Sequence, residues 1–245
     1  MSIVKGLLYP WRALGLIWHH RELWGFVVVP ILLNLIVGLI LYTWLYLVGL
    51  NQIEQIGAGE GPLRSILTTV AKVIYLIALA VGVGWLMVRF GVVLGAPWYG
   101  QLAGRLEVLV SGQAQPETPL SLGSVAHDIG RALQFEFKKL LLTIGIGLPS
   151  LLLNFIPILG NALSTGVALT LGALIACLDF FDAPLERRRL RFREKLEMVR
   201  QTLPTSASFG FLAAFLVSVP LLNLVAIPLC VAGGTLLVIE QQQLD

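Results

Sequence analysis

Leu140-LLTIGIGLPSLLLNFIPILGNALSTGVALTLGALIAC-Leu178 decides the fold: 39 residues without one charged side chain. Pro149 and then Ile156-Pro157-Ile158-Leu159-Gly160-Asn161 interrupt it. Proline removes a backbone donor and glycine loosens a helix, so the chain is expected to turn near 157–161. A turn in the middle of an apolar run makes a hairpin of two helices inside a membrane.

The device recurs. Ser206 to Ile239 is uncharged for 34 residues and is broken at Val219-Pro220-Leu221-Leu222-Asn223 and at Pro228. The breaks lie 63 residues apart and share aliphatic-Pro-aliphatic followed by a nearby Asn, a weak internal repeat. A full span needs about 20 apolar helical residues to cross about 30 Å of hydrocarbon. The second run offers about 13 residues before its break and about 16 after, or about 20 and 24 Å. The first offers about 17 and 18, which is borderline. Two re-entrant hairpins that penetrate part-way are therefore expected. Their tips must meet protein or water, because bare backbone in lipid leaves its polar groups unpaired. Pro157, Gly160, Asn161, Pro220 and Asn223 are the tip, or pore-lining, candidates.

Composition agrees. The chain has 245 residues, 57% of them hydrophobic and 13% charged, with a mean hydropathy of +0.85. Soluble domains carry about twice that charge fraction. The length suits a single membrane domain, 1–245. A formal charge of +3 does not point to nucleic acid, since the basic residues flank apolar runs as topology signals. Cys177 and Cys230 lie inside apolar runs and read as small fillers. No cleavable signal peptide is evident.

Outward from the hairpins, Ile3, Leu7, Trp11, Leu14 and Trp18 fall on one helical face, predicting an interfacial helix within 1–24 that Pro10 kinks or splits. His19 and His20 point about 100° apart on a helix, too far to share an ion. Residues 26–50 form the first span and 66–88 the second, separated by a loop whose one cation is Arg64. Residues 124–139 form a surface helix leading into hairpin 1 (140–178). Asp182 is expected to cap, and Pro184 to open, a basic amphipathic helix over 183–203. Hairpin 2 covers 206–239. The positive-inside rule places both termini and the basic helix in the cytoplasm. Arg187, Arg188 and Arg189 form a surface suited to attracting an anion or anionic headgroups. Asp179 and Asp182 are expected to pair with Arg187 or Arg188.

No nucleophile elbow, P-loop, H-E-x-x-H or paired-cysteine motif occurs, so an enzyme is not expected. Two functions fit: an anion permease, or a non-transport scaffold or lipid-interacting protein.

Four stretches carry a family resemblance: Phe26-Val27-Val28-Val29-Pro30 with Asn34; Ala96-Pro97-Trp98-Tyr99-Gly100 with Leu106-Glu107; Phe155-Ile156-Pro157-Ile158-Leu159-Gly160; and Val219-Pro220-Leu221-Leu222-Asn223-Leu224 with Pro228. In this order the chain resembles the CysZ-type sulfate transporter family, within the wider etoposide-induced-protein domain family. The resemblance implies two long transmembrane helices, two part-way hairpins and a homo-oligomer. It also implies sulfate uptake for cysteine biosynthesis across the inner membrane, without a cofactor. Sulfate-carrying members tend to place an Arg pair just before the first span, where this chain has Trp24 and Gly25. The nearest cation is Arg21, so Arg21, Trp24 and Gly25 become the anion-binding candidates.

Overall fold

The computed structural model describes residues 2–57, 61–112, 122–157, 159–219 and 222–243, with side chains throughout except at 56, 57, 88–93, 122–130 and 132. Among them the chain is all α-helical: α1 (Ile3–His19), α2 (Trp24–Gly57), α3 (Pro62–Ser111), α4 (Leu122–Leu152), α5 (Gly160–Arg187), α6 (Phe192–Gln201), α7 (Thr205–Ser218) and α8 (Leu222–Gln242). Within the described residues, four helical stretches are long and apolar enough to cross a membrane: Arg21–Gln55, Pro62–Met87, Gly160–Arg187 and Leu222–Gln242. The chain is an all-α, multi-pass membrane protein.

α2 and α3 pack on each other and turn rows of Leu, Ile and Val outward. α3 does not end at Val88. It runs 50 residues, about 75 Å, which is more than a bilayer needs. Its first half is lipid-facing in character. Its last turns, with Tyr99, Leu102, Ala103 and Leu106, enter a core shared with α5, α7 and α8. Phe181 stacks on Phe209 there, with ring centroids 5.6 Å apart.

α1 is one helix that carries Pro10 inside it without a break. Its spacing-defined apolar face, Ile3, Leu7, Trp11, Leu14 and Trp18, is exposed. A second face of Gly6, Tyr9, Pro10, Ala13 and Ile17 is buried against α7 and α8. Tyr9 donates to Glu240 at 2.7 Å, and Arg12 pairs with the same carboxylate at 2.5 Å. The N-terminal helix is thus pinned to the end of α8. Burial, with Glu240 adding to it, pushes the pKa of the Tyr9 hydroxyl up.

Helix boundaries differ from the sequence reading at two further places. The expected surface helix and the first limb of hairpin 1 are one helix, α4. Asp182 and Pro184 do not open a basic helix; both lie in the last turns of α5. Pro184 removes the N–H that would meet the Phe180 carbonyl, and that carbonyl instead faces Gly234 of α8. The break falls at 188–191, and the basic helix shortens to α6.

Candidate functional site

The sequence-predicted residues distribute over three places. The first is the corner between α1 and α2. Arg21 lies in a 3-10 turn, Arg21–Leu23, and is exposed. The Leu23 amide bonds the His20 carbonyl at 3.0 Å, and the Trp24 amide bonds that of Arg21. An anion here would therefore draw on the Arg21 guanidinium rather than on these two amides. The Trp24 indole donates to the Ile17 carbonyl at 3.0 Å and its ring lies 5.8 Å from that of Trp18, so Trp24 locks the corner. A Cβ at Gly25 would meet no atom within 4 Å; the position is open.

The second place is the pair of tips. In hairpin 1, a 3-10 turn Leu153–Phe155 ends α4, and the Gly160 amide closes onto the Ile156 carbonyl at 3.0 Å. A side chain at Gly160 would stand 2.0 Å from the Leu153 carbonyl oxygen, so the turn requires glycine. Pro157 and Asn161 are exposed there. In hairpin 2, Pro220 lies outside the described residues. Asn223 is described and only 2% exposed. It lines a cleft of about 380 Å³ with Asn34, Leu35, Gly38, Tyr42, Val83 and Met87. The fold thus brings the second tip to mid-α2, where the Asn34 amide donates to the Pro30 carbonyl at 2.9 Å. This is a mostly apolar cleft holding two carboxamides. The juxtaposition had one signal in the sequence: Asn34 is the one carboxamide of the uncharged first span, 26–50.

The third place is the base of hairpin 1, where charges pair in a way the sequence reading missed. Glu107 of α3 is 2% exposed. It meets Arg188 at 3.1 Å and Arg187 at 3.5 Å. The expected pairing of Asp179 and Asp182 with those arginines does not form. Asp179 pairs with Lys139. Asp182 pairs with Lys195 at 2.5 Å, and Lys195, fully buried, also holds Glu186 at 2.6 Å. The three arginines therefore separate: Arg187 and Arg188 turn toward Glu107, and Arg189 faces a groove. Among the described residues no group of three or more His, Cys, Asp or Glu is arranged to hold a metal ion. Cys177 and Cys230 are free thiols in the core.

The family described as "Sulfate transporter CysZ/Etoposide-induced protein 2.4" matches residues 9–228. The chain belongs to this family. Relatives named "Sulfate transporter CysZ" run along nearly its whole length. That of Pectobacterium atrosepticum is 26% identical over 231 residues, covering 94% of this chain and 82% of its own. That of Vibrio cholerae is 28% identical over 215 residues, covering 86% and 83%. That of Pseudomonas fluorescens is 29% identical over 224 residues, covering 89% and 86%. The family match takes in the corner at Arg21, the first tip, the Glu107 cluster and the Asn34–Asn223 cleft.

Proposed function

We propose that this protein is a sulfate permease of the inner membrane that feeds cysteine biosynthesis, working as a homo-oligomer. The observation that carries the reading is the family match over residues 9–228, with relatives named as sulfate transporters. It is a carrier or channel, not an enzyme.

The geometry supports a route. Arg21 at the α1–α2 corner gathers the anion by a charge-assisted contact. The Asn34–Asn223 cleft offers carboxamides further along. Pro157, Gly160 and Asn161 shape the first tip, and Asn223 lies at the second. Both hairpins are proposed to stop part-way, because a hairpin reaches no deeper than its shorter limb. After Lys139, α4 has 13 uncharged residues before its 3-10 turn, and α7 has 14 in all. Each is about 20 Å long, against about 30 Å of hydrocarbon. Within a single membrane domain, the termini and α6 are placed on the cytoplasmic side by the basic bias, and the pinning of α1 to the end of α8 keeps both termini together.

The test is uptake of radiolabelled sulfate into liposomes holding the purified protein, with sulfite or selenate as competitor. Saturable, competed uptake is expected, and Arg21→Ala is expected to lower it by about tenfold or more. Undiminished uptake in that variant would remove Arg21 from the route. No uptake by inserted, folded protein would favour the scaffold reading.

A further inference from the structure

Between α4 and the α5–α6 turn lies a groove of about 810 Å³. Six cations line it, Arg131, Lys138, Arg189, Arg191, Arg193 and Lys195, against two carboxylates, Glu186 and Glu194. Both carboxylates are already engaged. Glu186 is shared by Arg131 at 2.9 Å and Lys195 at 2.6 Å. Glu194 accepts the Arg191 amide at 2.5 Å, capping α6. Lys138, Arg189, Arg191 and Arg193 have no carboxylate partner among the described side chains, and all four are exposed at the groove.

One of these four is held there at a conformational cost. Arg189 has φ +53°, the only non-glycine residue with positive φ among those described. Its amide bonds the Glu186 carbonyl at 2.8 Å and the Leu190 amide bonds that of Leu185 at 3.2 Å. This is the double bond pattern that ends a helix with a left-handed residue, a place usually taken by glycine. An L side chain in that backbone region is disfavoured, and such outliers concentrate where a side chain is needed. Here the side chain is a guanidinium aimed into a groove already rich in cations. Four cations lining one groove, with no carboxylate partner among the described side chains, repel one another; a tetrahedral dianion would relieve that repulsion and accept several charge-assisted hydrogen bonds at once.

We infer that this groove binds a phosphate-type oxyanion, tying α4 to the α5–α6 turn at the base of hairpin 1, at a site separate from the Arg21 corner. The phosphate comes either from an anionic lipid headgroup or from solution. The inference does not rest on sulfate transport.

The experiment compares the full chain with the triple variant Arg189→Gly/Arg191→Ala/Arg193→Ala and with Arg64→Ala, which removes an exposed cation at the start of α3. In one arm, native mass spectrometry counts phosphatidic acid retained from mixed phosphatidic acid–phosphatidylcholine vesicles. In the other, inorganic phosphate is titrated calorimetrically into protein in neutral detergent. Retention of phosphatidic acid over phosphatidylcholine assigns the lipid source; phosphate binding without it assigns the soluble source. In either case the triple variant is expected to bind at least about tenfold more weakly, and Arg64→Ala to bind as wild type does. Arg189→Gly alone guards against misfolding, since glycine suits that backbone position; it is expected to keep the helical circular dichroism of wild type and to lose part of the binding. Binding by the triple variant equal to wild type, or no binding of either probe by wild type, overturns the inference.

Discussion

The two hairpins read alike in sequence and sit in opposite surroundings. In hairpin 1 the tip is bare: Phe155 is 83% exposed, and Leu159 and Leu163 beside it are exposed too. In hairpin 2, Asn223 at the tip is buried against α2 and α3. The most apolar window of α8 is 78% buried, against 39% for that of α5. The break motif ends a helix in both cases, with α7 stopping at Ser218 and α4 running into its 3-10 turn. α8 reads Ala226, Ala232, Gly233, Gly234, Thr235, and small residues let helices approach closely. α4 carries exposed Leu and Ile at 140, 141, 144, 146, 148, 151 and 152, while the start of α5, Gly160 to Thr170, is as rich in small residues as α8. Hairpin 1 is held instead at its base, by the ion pairs of Glu107, Asp179, Asp182 and Glu186.

The sharpest way to break this contrast is to remove the charge at the base. Glu107 is one buried carboxylate serving two guanidinium groups. Glu107→Ala leaves Arg187 and Arg188 facing each other without it, at a cost of about 3 kcal/mol or more. We expect a clear drop in thermal midpoint in detergent, with hydrogen exchange rising over 160–187 and little changed over 222–242. Equal loss of protection in both hairpins would show that they are anchored as one unit.

Close packing can be tested in the same way. A Cβ at Gly234 would stand 2.7 Å from the Phe180 carbonyl oxygen, whereas at Gly172 it would meet nothing within 4 Å. Gly234→Val should therefore destabilise by about 1–3 kcal/mol from overpacking, while Gly172→Val stays within about 0.5 kcal/mol. Thermal unfolding of the two variants side by side reads this directly. A destabilising Gly172→Val would mean that the exposed face of α5 is packed against a second copy.

Much of this architecture was legible in residues. Pro157 and the uncharged runs mark the hairpins, and the 3–4 spacing from Ile3 to Trp18 marks the exposed face of α1. Its packed face was not legible, because Gly6, Tyr9, Pro10 and Ala13 carry little hydrophobic signal. Pro184 was misread as a helix start: proline suits a first turn, but its cost inside a helix depends on what receives the Phe180 carbonyl, a tertiary matter. The ion pairs were hidden for a different reason. Glu107 and Arg188 are 81 positions apart, and local spacing favoured the nearer aspartates. Arg189 was legible as a surface cation, but its left-handed backbone was not, since nothing in the sequence marks a left-handed arginine. Arg21 came from the neighbourhood of a missing Arg pair, and the Asn34–Asn223 cleft needed the fold.

That cleft gives the smallest expected effect and the finest cut between the hairpins. Asn223 and Asn161 occupy similar places after their breaks, yet one is buried beside Asn34 and the other is exposed. If the wet path runs along the second tip, Asn223→Leu keeps the volume roughly constant and removes a carboxamide where the solute passes. Sulfate uptake should fall about five- to tenfold, the equivalent of about one lost hydrogen bond in the barrier. Asn161→Leu places an apolar side chain on an apolar surface and should leave uptake within about twofold. The opposite result, with Asn161 sensitive and Asn223 indifferent, would mean that the bare tip is the wet one. A tip that is bare in one chain can be wet without exposing its backbone to lipid only if other copies surround it. The path would then run between subunits, and the buried tip of hairpin 2 would be scaffold alone.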